Sequence, residues 1–421
     1  MAYRFADRAL YVAGIYESND LSVDLTSKAA LLPGLRRCVK DHPPLSLVVE
    51  RQDTEKPTYV APRVTTLDDH IEFLPVAEEN LASIEEISPS LLDSNFAQGA
   101  PPWKIVVLPL LSAVDTNPKK CLVAFTFSHA LGDGMSGLAF HKSFYAGLLN
   151  SETTSDEDKV ITGAMPPPFD TAKNLPISWS YLLAPALGVY LPKFVANALG
   201  FRAAVSTVSS TTWVGNDAVF YNTGDHRTGA KLVTIEGESV AKLTEACRKH
   251  DTKLTSFLHQ IILHALSVSI SPDSDVDNFA SQTAINMRHH VNTSNDTMGL
   301  YVTGYFDTHA RSGSLDMNQM WANCREMNRK LHACANTLND QAIGLLRYLP
   351  SMRSWTSGKI GSRRDNSYEL SNLLAFDPGV EEGKRTWSLG NMVFAQPANV
   401  TGGALAFNIV AFECGMTKMK S

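Results

Sequence analysis

Cysteine, net positive charge and long apolar runs are all scarce in this chain of 421 residues. Lys and Arg number 37 against 43 Asp and Glu, so the formal net charge is -6, and no long basic run is present to neutralise a phosphate backbone. A nucleic-acid partner is therefore not expected. The 6 cysteines include no CxxC pair and no histidine at zinc-finger spacing, which predicts free thiols in a reducing compartment.

The sequence also lacks a long apolar segment that could span a membrane. Its longest apolar stretch, residues 175–191, is interrupted by Pro176 and Pro185 and is too short to span a bilayer comfortably. Charged side chains are scattered through the first 20 residues, which excludes the apolar core of a secretory signal. We therefore expect a cytoplasmic protein without a transmembrane segment.

What is present is typical of a globular protein, with 44% apolar and 19% charged residues. A polar run over 150–159 leads into Pro166, Pro167 and Pro168, and a Ser/Thr-rich run follows at 206–212. These stretches predict a first subdomain over 1–165, a crossover with a partly apolar lid over 166–230, and a second subdomain over 231–421. The fold class predicted is α/β, with a sheet in each half.

Local patterns place the elements on both sides of the crossover. Strands are predicted over 45–49, 105–110, 122–127 and 232–235, and helices over 31–40, 239–250 and 255–270. The large side chains of the lid favour helix packing over substrate contact, and they are Trp179, Tyr181, Leu182, Leu183, Leu187, Val189, Tyr190 and Leu191.

The strongest candidate for chemistry follows the buried strand at 121–127. The chain continues as Ser-His-Ala-Leu-Gly-Asp-Gly, which places His129 in a strand-to-helix turn just before Gly132 and Gly134. Histidine titrates near neutral pH, as a general base for an alcohol or amine requires. A histidine after a strand is also common as a structural residue. Asp133 can cap the following helix, hold the turn or the imidazole, or pair with a distant arginine.

Other motifs compete less well. Residues 132–137 form a Gly-x-Gly-x-x-Gly string, but an aspartate inside that loop would repel a pyrophosphate. Residues 134–137 fall short of a Gly-x-Ser-x-Gly elbow, and no P-loop occurs. His259 and His264 are five residues apart and point about 140° away from each other on a helix. His289 and His290 are adjacent, so no metal site is predicted.

The string His129-Ala-Leu-Gly-Asp133-Gly134 resembles the His-x-x-x-Asp-Gly signature of the CoA-dependent acyltransferase superfamily. That superfamily includes chloramphenicol acetyltransferase, plant BAHD acyltransferases, condensation domains and fungal alcohol acetyltransferases. The resemblance covers most of the chain and is closest to the fungal alcohol acetyltransferase and condensation-domain-like branch. The further similar segments are residues 102–107, 251–258, 285–288 (Ile-Asn-Met-Arg), 369–373 (Glu-Leu-Ser-Asn-Leu) and 394–397 (Phe-Ala-Gln-Pro).

Three departures narrow the resemblance. The Asp-Phe-Gly-Trp-Gly element of BAHD enzymes has no counterpart, since residues 376–379 read Phe-Asp-Pro-Gly. Ser128 stands where condensation domains usually have a first histidine. The sequence stops at Ser421, soon after residues 404–412, where members of the superfamily continue with a terminal strand or helix.

The resemblance implies two chloramphenicol acetyltransferase-like subdomains, each a mixed sheet with flanking helices, and a tunnel between them. Acyl-CoA would enter as cosubstrate from one end, and a hydrophobic small-molecule acceptor from the other. His129 would be the general base, and Asp133 would pair with an arginine, for which Arg288 is the candidate. Gly134 would have a structural role. The candidates for stabilising the oxyanion are Ser371 and Asn372, which are equally well explained as strand-end residues.

The resemblance implies acyl transfer, most simply of an acetyl group, to a hydroxyl of a metabolite in secondary metabolism. No permanent cofactor and no metal are expected, and a monomer is predicted. Two alternatives stay open. The scaffold could catalyse a CoA-independent cyclisation or cycloaddition on a polyketide or terpenoid, or it could be an inactive binding subunit.

Overall fold

The computed structural model describes residues 9–20, 22–51, 54, 56–61, 66–150, 167–192, 194–195, 199, 208–216, 227–314, 316–379, 386–397 and 402–412. Its strands are β1 Ala9–Ser18, β2 Val48–Glu50, β3 Thr58–Val60, β4 Ile71–Phe73, β5 Ala77–Glu78, β6 Trp103–Leu111, β7 Lys120–Ser128, β8 Thr212–Trp213, β9 Asn278–Asn286, β10 Val302–Ala310, β11 Tyr368–Phe376, β12 Trp387–Ala395 and β13 Leu405–Phe412. Its α-helices are α1 Leu32–Asp41, α2 Leu81–Leu92, α3 Gly134–Leu149, α4 Trp179–Tyr190, α5 Gly237–Lys249, α6 Leu254–Ser269, α7 Met317–Ala335 and α8 Met352–Ser357.

The first sheet has the order β12-β1-β7-β6-β4, with β5 also on β6. Both neighbours of β7 are antiparallel to it, whereas β4 and β5 run parallel to β6. A dinucleotide-binding unit needs parallel strands on either side of its glycine-rich turn. The Gly-x-Gly-x-x-Gly string after β7 is therefore not a dinucleotide site.

Helices cover both faces of the first sheet. On one face, the ring of Phe140 in α3 stacks on Phe125 of β7 at 3.9 Å between centroids, and α1 packs beyond α3. On the other face, Leu91 and Leu92 of α2 pack against Leu108 of β6. β7 is thus buried from both sides, which explains its continuous apolar run.

The second sheet has the order β10-β9-β11-β13, with β8 also on β9. It is mixed as well, because β9 and β10 are antiparallel while β11 runs parallel to β9 and β13. Ile262 and Leu266 of α6 pack against Phe279 of β9 and Leu370 of β11. The predicted α/β class with a sheet in each half is confirmed, and the second sheet contributes one wall of the candidate site.

One strand crosses the predicted division of the chain. β12 belongs by sequence to residues 231–421, yet it pairs antiparallel with β1 from Tyr11 opposite Ala395 to Ser18 opposite Trp387. Without β12 the buried strand β1 would be an open edge. The limits 1–165, 166–230 and 231–421 remain predictions as domain boundaries, but the first sheet is not built from the first segment alone.

Most of the predicted elements are present, but the strand predicted over 232–235 is wrong. These residues are not in a sheet, and the side chains of Val233 and Ile235 are 81% and 51% exposed. The segment lies along α2 instead, where the amide of Leu232 donates to the Glu85 carboxylate at 2.9 Å. The backbone of this segment is hydrogen-bonded to a side-chain carboxylate and not to a neighbouring strand. No pattern in the sequence indicates this difference.

The lid residues are also less buried than the predicted helix packing requires. The helix is present as α4, but Trp179, Leu183 and Tyr190 are exposed, at 83%, 58% and 65%. Tyr181, Leu182, Leu187 and Leu191 are half-buried, and the side chain of Val189 lies outside the described residues.

Among the described residues, no helix is long and apolar enough to cross a membrane. Five cysteines are free thiols, as predicted, and these are Cys38, Cys121, Cys247, Cys324 and Cys334. Cys414 lies outside the described residues.

Candidate active site

His129 follows directly on the buried strand β7. Ser128, at the end of the strand, is fully buried, while His129 is half-buried. The turn is fixed by two hydrogen bonds, from the Leu131 amide to the Ser128 carbonyl at 2.9 Å and from the Ala130 amide to Ser128 Oγ at 3.2 Å. A fully packed strand thus ends in a short, ordered turn, called here the His129 turn (residues 128–133), that keeps its histidine partly accessible.

Asp133 combines two of the roles that the sequence left open. Its side chain caps α3 by accepting from the Ser136 amide at 3.1 Å. It also forms a bidentate ion pair with Arg288, in which Nη1 donates to Oδ2 at 2.9 Å and Nη2 to Oδ1 at 2.8 Å. The expected contact between Asp133 and Arg288 is therefore present, across 155 positions of sequence.

The ion pair is deeply buried, with side-chain exposures of 0% for Arg288 and 6% for Asp133. Arg288 also donates to the carbonyls of Thr297 and Gly299, at 3.0 and 3.1 Å. A buried pair stabilises a fold when its remaining donors are also satisfied. These bonds meet that condition and attach the His129 turn to the second half of the chain.

Residues 297–301, called here the clasp loop, are a part of the site that the sequence did not single out. Ser136 Oγ donates to the Gly299 carbonyl and accepts from the Gly299 amide, both at 3.0 Å. The Tyr301 amide donates to Asp133 Oδ2 at 3.0 Å. The loop thus bonds to both the aspartate and the first turn of α3. A serine three positions after a helix-capping aspartate is too common a pattern to have revealed this contact.

Gly134 stands where the first half meets β11 and β12. A Cβ at this position would lie 2.6 Å from the side chain of Leu373 and 3.1 Å from the ring of Phe394. Glycine therefore allows the start of α3 to approach both strands closely.

The two oxyanion candidates lie on opposite faces of β11. The Asn372 side chain donates to Thr255 Oγ1 of α6 at 3.1 Å and accepts from the Leu374 amide at 2.9 Å. The structure therefore does not bring Asn372 to His129. Ser371 is buried, and strand alternation places it on the face of Leu373, which contacts the start of α3.

Glu369, two positions before Ser371 on the same face, is a site residue that sequence reasoning missed. Burial raises the pKa of its carboxyl group, whereas hydrogen bonds from Gly403 and Asn366 and, after them, the charge of His129 lower that pKa. The residue lies inside the Glu-Leu-Ser-Asn-Leu segment, so the charged side chain in a buried strand was the available signal.

Three of the other histidines that the sequence offered, His259, His289 and His290, have structural partners. His259 accepts or donates at both ring nitrogens, to the Tyr368 hydroxyl at 2.8 Å and to Thr283 Oγ1 at 3.0 Å, and burial lowers its pKa to about 3. His289 and His290 both contact the carbonyl of Ala335. Within the described part of the chain, no cluster of three metal-ligating side chains occurs.

Comparison with known proteins supports the resemblance. A family model described as alcohol acetyltransferase matches residues 87–420. "Probable alcohol acetyltransferase crmB" of Aspergillus fumigatus is 21% identical over 340 residues, which is 75% of this chain and 66% of that protein. "Probable alcohol acetyltransferase FCK4" of Fusarium pseudograminearum is 21% identical over 396 residues, or 89% of this chain and 77% of that protein. The chain thus spans about 66% of the length of the first of these relatives.

Solved structures show the same fold. The TRI3 trichothecene 15-O-acetyltransferase of Fusarium sporotrichioides superposes with a TM-score of 0.67 at 14% identity, covering 97% of this chain and 85% of that one. A condensation domain of the enacyloxin polyketide synthase gives a TM-score of 0.52 at 13% identity, covering 98% of this chain and 72% of that one. The fold is thus that of the chloramphenicol acetyltransferase-like enzymes. With the family model matched over more than half of its residues, this chain belongs to the alcohol acetyltransferase family.

Proposed function

We propose that this protein is an O-acyltransferase that moves an acyl group, most simply acetyl, from acyl-CoA to a hydroxyl of a hydrophobic small molecule in secondary metabolism. His129 is the general base. Membership of the alcohol acetyltransferase family supports the reaction class. TRI3, which shares the fold, is named as a 15-O-acetyltransferase, and its acceptor atom is therefore an oxygen.

The observation that carries the proposal is that the His129 turn is hydrogen-bonded at both of its ends. Asp133 is bound by Arg288 and caps α3, while Ser128 holds the other end of the turn. A general base is effective only when it is held within hydrogen-bond reach of the proton that it removes. The half-buried imidazole lies between these two fixed points, which supports its assignment as the base.

In the proposed reaction, a ring nitrogen of His129 accepts the proton of the acceptor hydroxyl as the oxygen attacks the thioester carbonyl. The tetrahedral intermediate then collapses, the carbon–sulfur bond breaks, and the imidazolium returns the proton to the CoA sulfur. General-base assistance of this kind contributes about 10²- to 10⁴-fold in rate.

Ser371 is proposed to donate its hydroxyl to the oxyanion of the intermediate, because it lies on the face of β11 that is turned to the start of α3. The acceptor enters a tunnel between the two halves. Beside the His129 turn, apolar side chains from both halves pack together in one core, and they are Leu131, Met298 and Leu373.

Replacement of His129 tests the proposed base. We expect His129→Ala to lower the release of free thiol from acetyl-CoA by about 10²- to 10⁴-fold, because no other group removes the acceptor proton. A thiol-reactive dye with a panel of hydrophobic alcohols measures the rate. His332→Ala, an exposed histidine on α7, is the matched control and should keep full activity.

The outcomes separate the alternatives. Thiol release that persists in His129→Ala would remove His129 as the base. Calorimetry that detects no CoA binding, while a polyketide or terpenoid still binds, would favour the CoA-independent reaction. Turnover that depends on His129 would eliminate the inactive binding subunit.

A further inference from the structure

One carboxyl group that the proposed mechanism does not use lies on the face of β11 turned to the His129 turn. On the opposite face, Tyr368 and Leu370 are buried against α6. Glu369 therefore shares its face with Leu373, whose side chain meets the position of a Cβ on Gly134 at 2.6 Å. This places the glutamate on the wall of the second half that closes over the start of α3.

The carboxyl group lies in a polar pocket within this wall. The Gly403 amide donates to Glu369 Oε1 at 3.3 Å, and the Asn366 side chain also contacts the carboxyl. Asn366, which is 1% exposed, donates to Gln282 Oε1 at 3.1 Å, and Gln282 lies opposite Glu369 in the register of β9 and β11. Uncharged donors thus hold the carboxyl group and leave its charge to be balanced by another residue.

Three groups that can be positively charged act on Glu369, namely His129, Lys359 and Arg364. Lys359 is already paired with Asp365 at 2.5 Å, and Arg364 donates to the carbonyls of Asn216 and Gly402. Within the described part of the chain, Glu369 forms no ion pair with a lysine or an arginine. His129 differs from the other two because its charge appears only when it takes up a proton.

Asp133 cannot supply a counter-charge to His129 in spite of its position in the same motif. Both of its oxygens accept from Arg288, and they also accept from the amides of Ser136 and Tyr301. Its charge is neutralised by a buried guanidinium. A half-buried imidazolium is less well solvated than a free one, so a second carboxylate on the wall facing the His129 turn has an energetic reason to be there.

We propose that Glu369 is the positioning residue of His129, with its carboxylate, contributed by the second half of the chain, stabilising the imidazolium formed during acyl transfer. This inference rests on the proposed function. His129 takes the hydroxyl proton and returns it to the CoA sulfur, and Glu369 itself neither gains nor loses a proton. Its charge lowers the energy of the intermediate that holds the extra proton.

Kinetics of Glu369→Gln tests this role, because the amide keeps the shape and removes the charge. We expect kcat to fall by about tenfold, because the imidazolium intermediate loses the anion that stabilises it. The acidic limb of the kcat/KM profile should move to lower pH, since the imidazolium loses the anion that favoured it. KM for acetyl-CoA should stay within about twofold, because the residue is not assigned to CoA binding.

Two variants separate a loss of charge at the site from a loss of packing. Glu369→Asp keeps the charge and should retain more activity than Glu369→Gln. Asp307→Asn removes a carboxylate from the opposite face of the same sheet, where Lys330 pairs with it, and should leave the pH profile unchanged. An unchanged kcat and pH profile in Glu369→Gln would overturn the proposal.

A second measurement does not depend on catalysis. In protein labelled with ¹³C at the glutamate carboxyl carbon, the Glu369 signal is identified by its absence in Glu369→Gln. Its titration midpoint should rise in His129→Asn, because the histidine charge that lowers the pKa of Glu369 is gone. An unmoved midpoint would overturn the inference even in active protein. If the Glu369 midpoint rises in His129→Asn but the wild-type protein releases no thiol, the proposed function is wrong and the coupling between the two residues is still supported.

Discussion

At the scale of single residues, the structure is organised by one buried charge pair. Arg288 and Asp133 come from the two halves of the chain, and both are almost completely removed from water. The carboxylate accepts from the helix that it caps and from the clasp loop, so the charges are paired and the neighbouring backbone groups are bonded as well. Removal of either partner would leave an uncompensated charge in the interior.

Arg288→Met is expected to lower the free energy of unfolding by about 3–5 kcal/mol, because it leaves the Asp133 carboxylate buried and unpaired. Denaturant unfolding measures the loss. Arg329→Ala, which breaks an exposed pair with Glu326, is the control and should leave the free energy of unfolding nearly unchanged. Equal losses in the two variants would mean that the buried pair does not stabilise the fold.

At the scale of elements, alternation along β11 decides what each residue can do. Asn372 and Ser371 are neighbours in sequence, yet one is bonded to Thr255 of α6 and the other lies on the face turned to α3. Sequence alone made them equal candidates because it does not show which face of a half-buried strand is turned to the site. Glu369 was missed for the same reason.

The close approach of α3 to β11 depends on Gly134. We expect Gly134→Ala to lower the free energy of unfolding by about 1–3 kcal/mol and to reduce kcat, because the new methyl group meets Leu373 and Phe394 and displaces the His129 turn.

Thermal unfolding and thiol release measure these two effects. The loss of free energy of unfolding caused by Gly134→Ala should be smaller in a Leu373→Ala background, where there is room for the methyl group. Gly313→Ala, where a Cβ meets nothing within 4 Å, is the matched control. If the losses of the two single variants simply add in the double variant, the proposed contact between the new methyl group and Leu373 is wrong.

At the scale of the whole molecule, the two halves are interlocked. β12 completes the first sheet although it lies late in the sequence, and Met298 and Leu373 of the second half enter the core formed by Leu131 and Leu138 of the first. β12 therefore pairs with an edge that belongs to the first half, and apolar side chains of both halves are buried in one core.

Residues 1–230 expressed alone should not form a stable domain, because β1 would expose an unpaired edge and the apolar side chains that β12 covers. Dye binding to exposed apolar surface and rapid proteolysis would report this state. Co-expression with residues 231–421 should restore a soluble complex. A protease-resistant, monomeric fragment 1–230 would show that β12 is dispensable.

The sequence by itself determined the class of fold and the position of the proposed base. A largely apolar strand, followed by His129, Asp133 and Gly134, is a local pattern, and the resemblance that it carries also pointed to Arg288. Only the tertiary structure decided that β12 joins β1, that the clasp loop holds Asp133, that Asn372 bonds to α6 and that Glu369 lies on the opposite face of β11. These features depend on contacts between residues far apart in the chain. Such contacts do not produce a periodic pattern in the sequence around either partner.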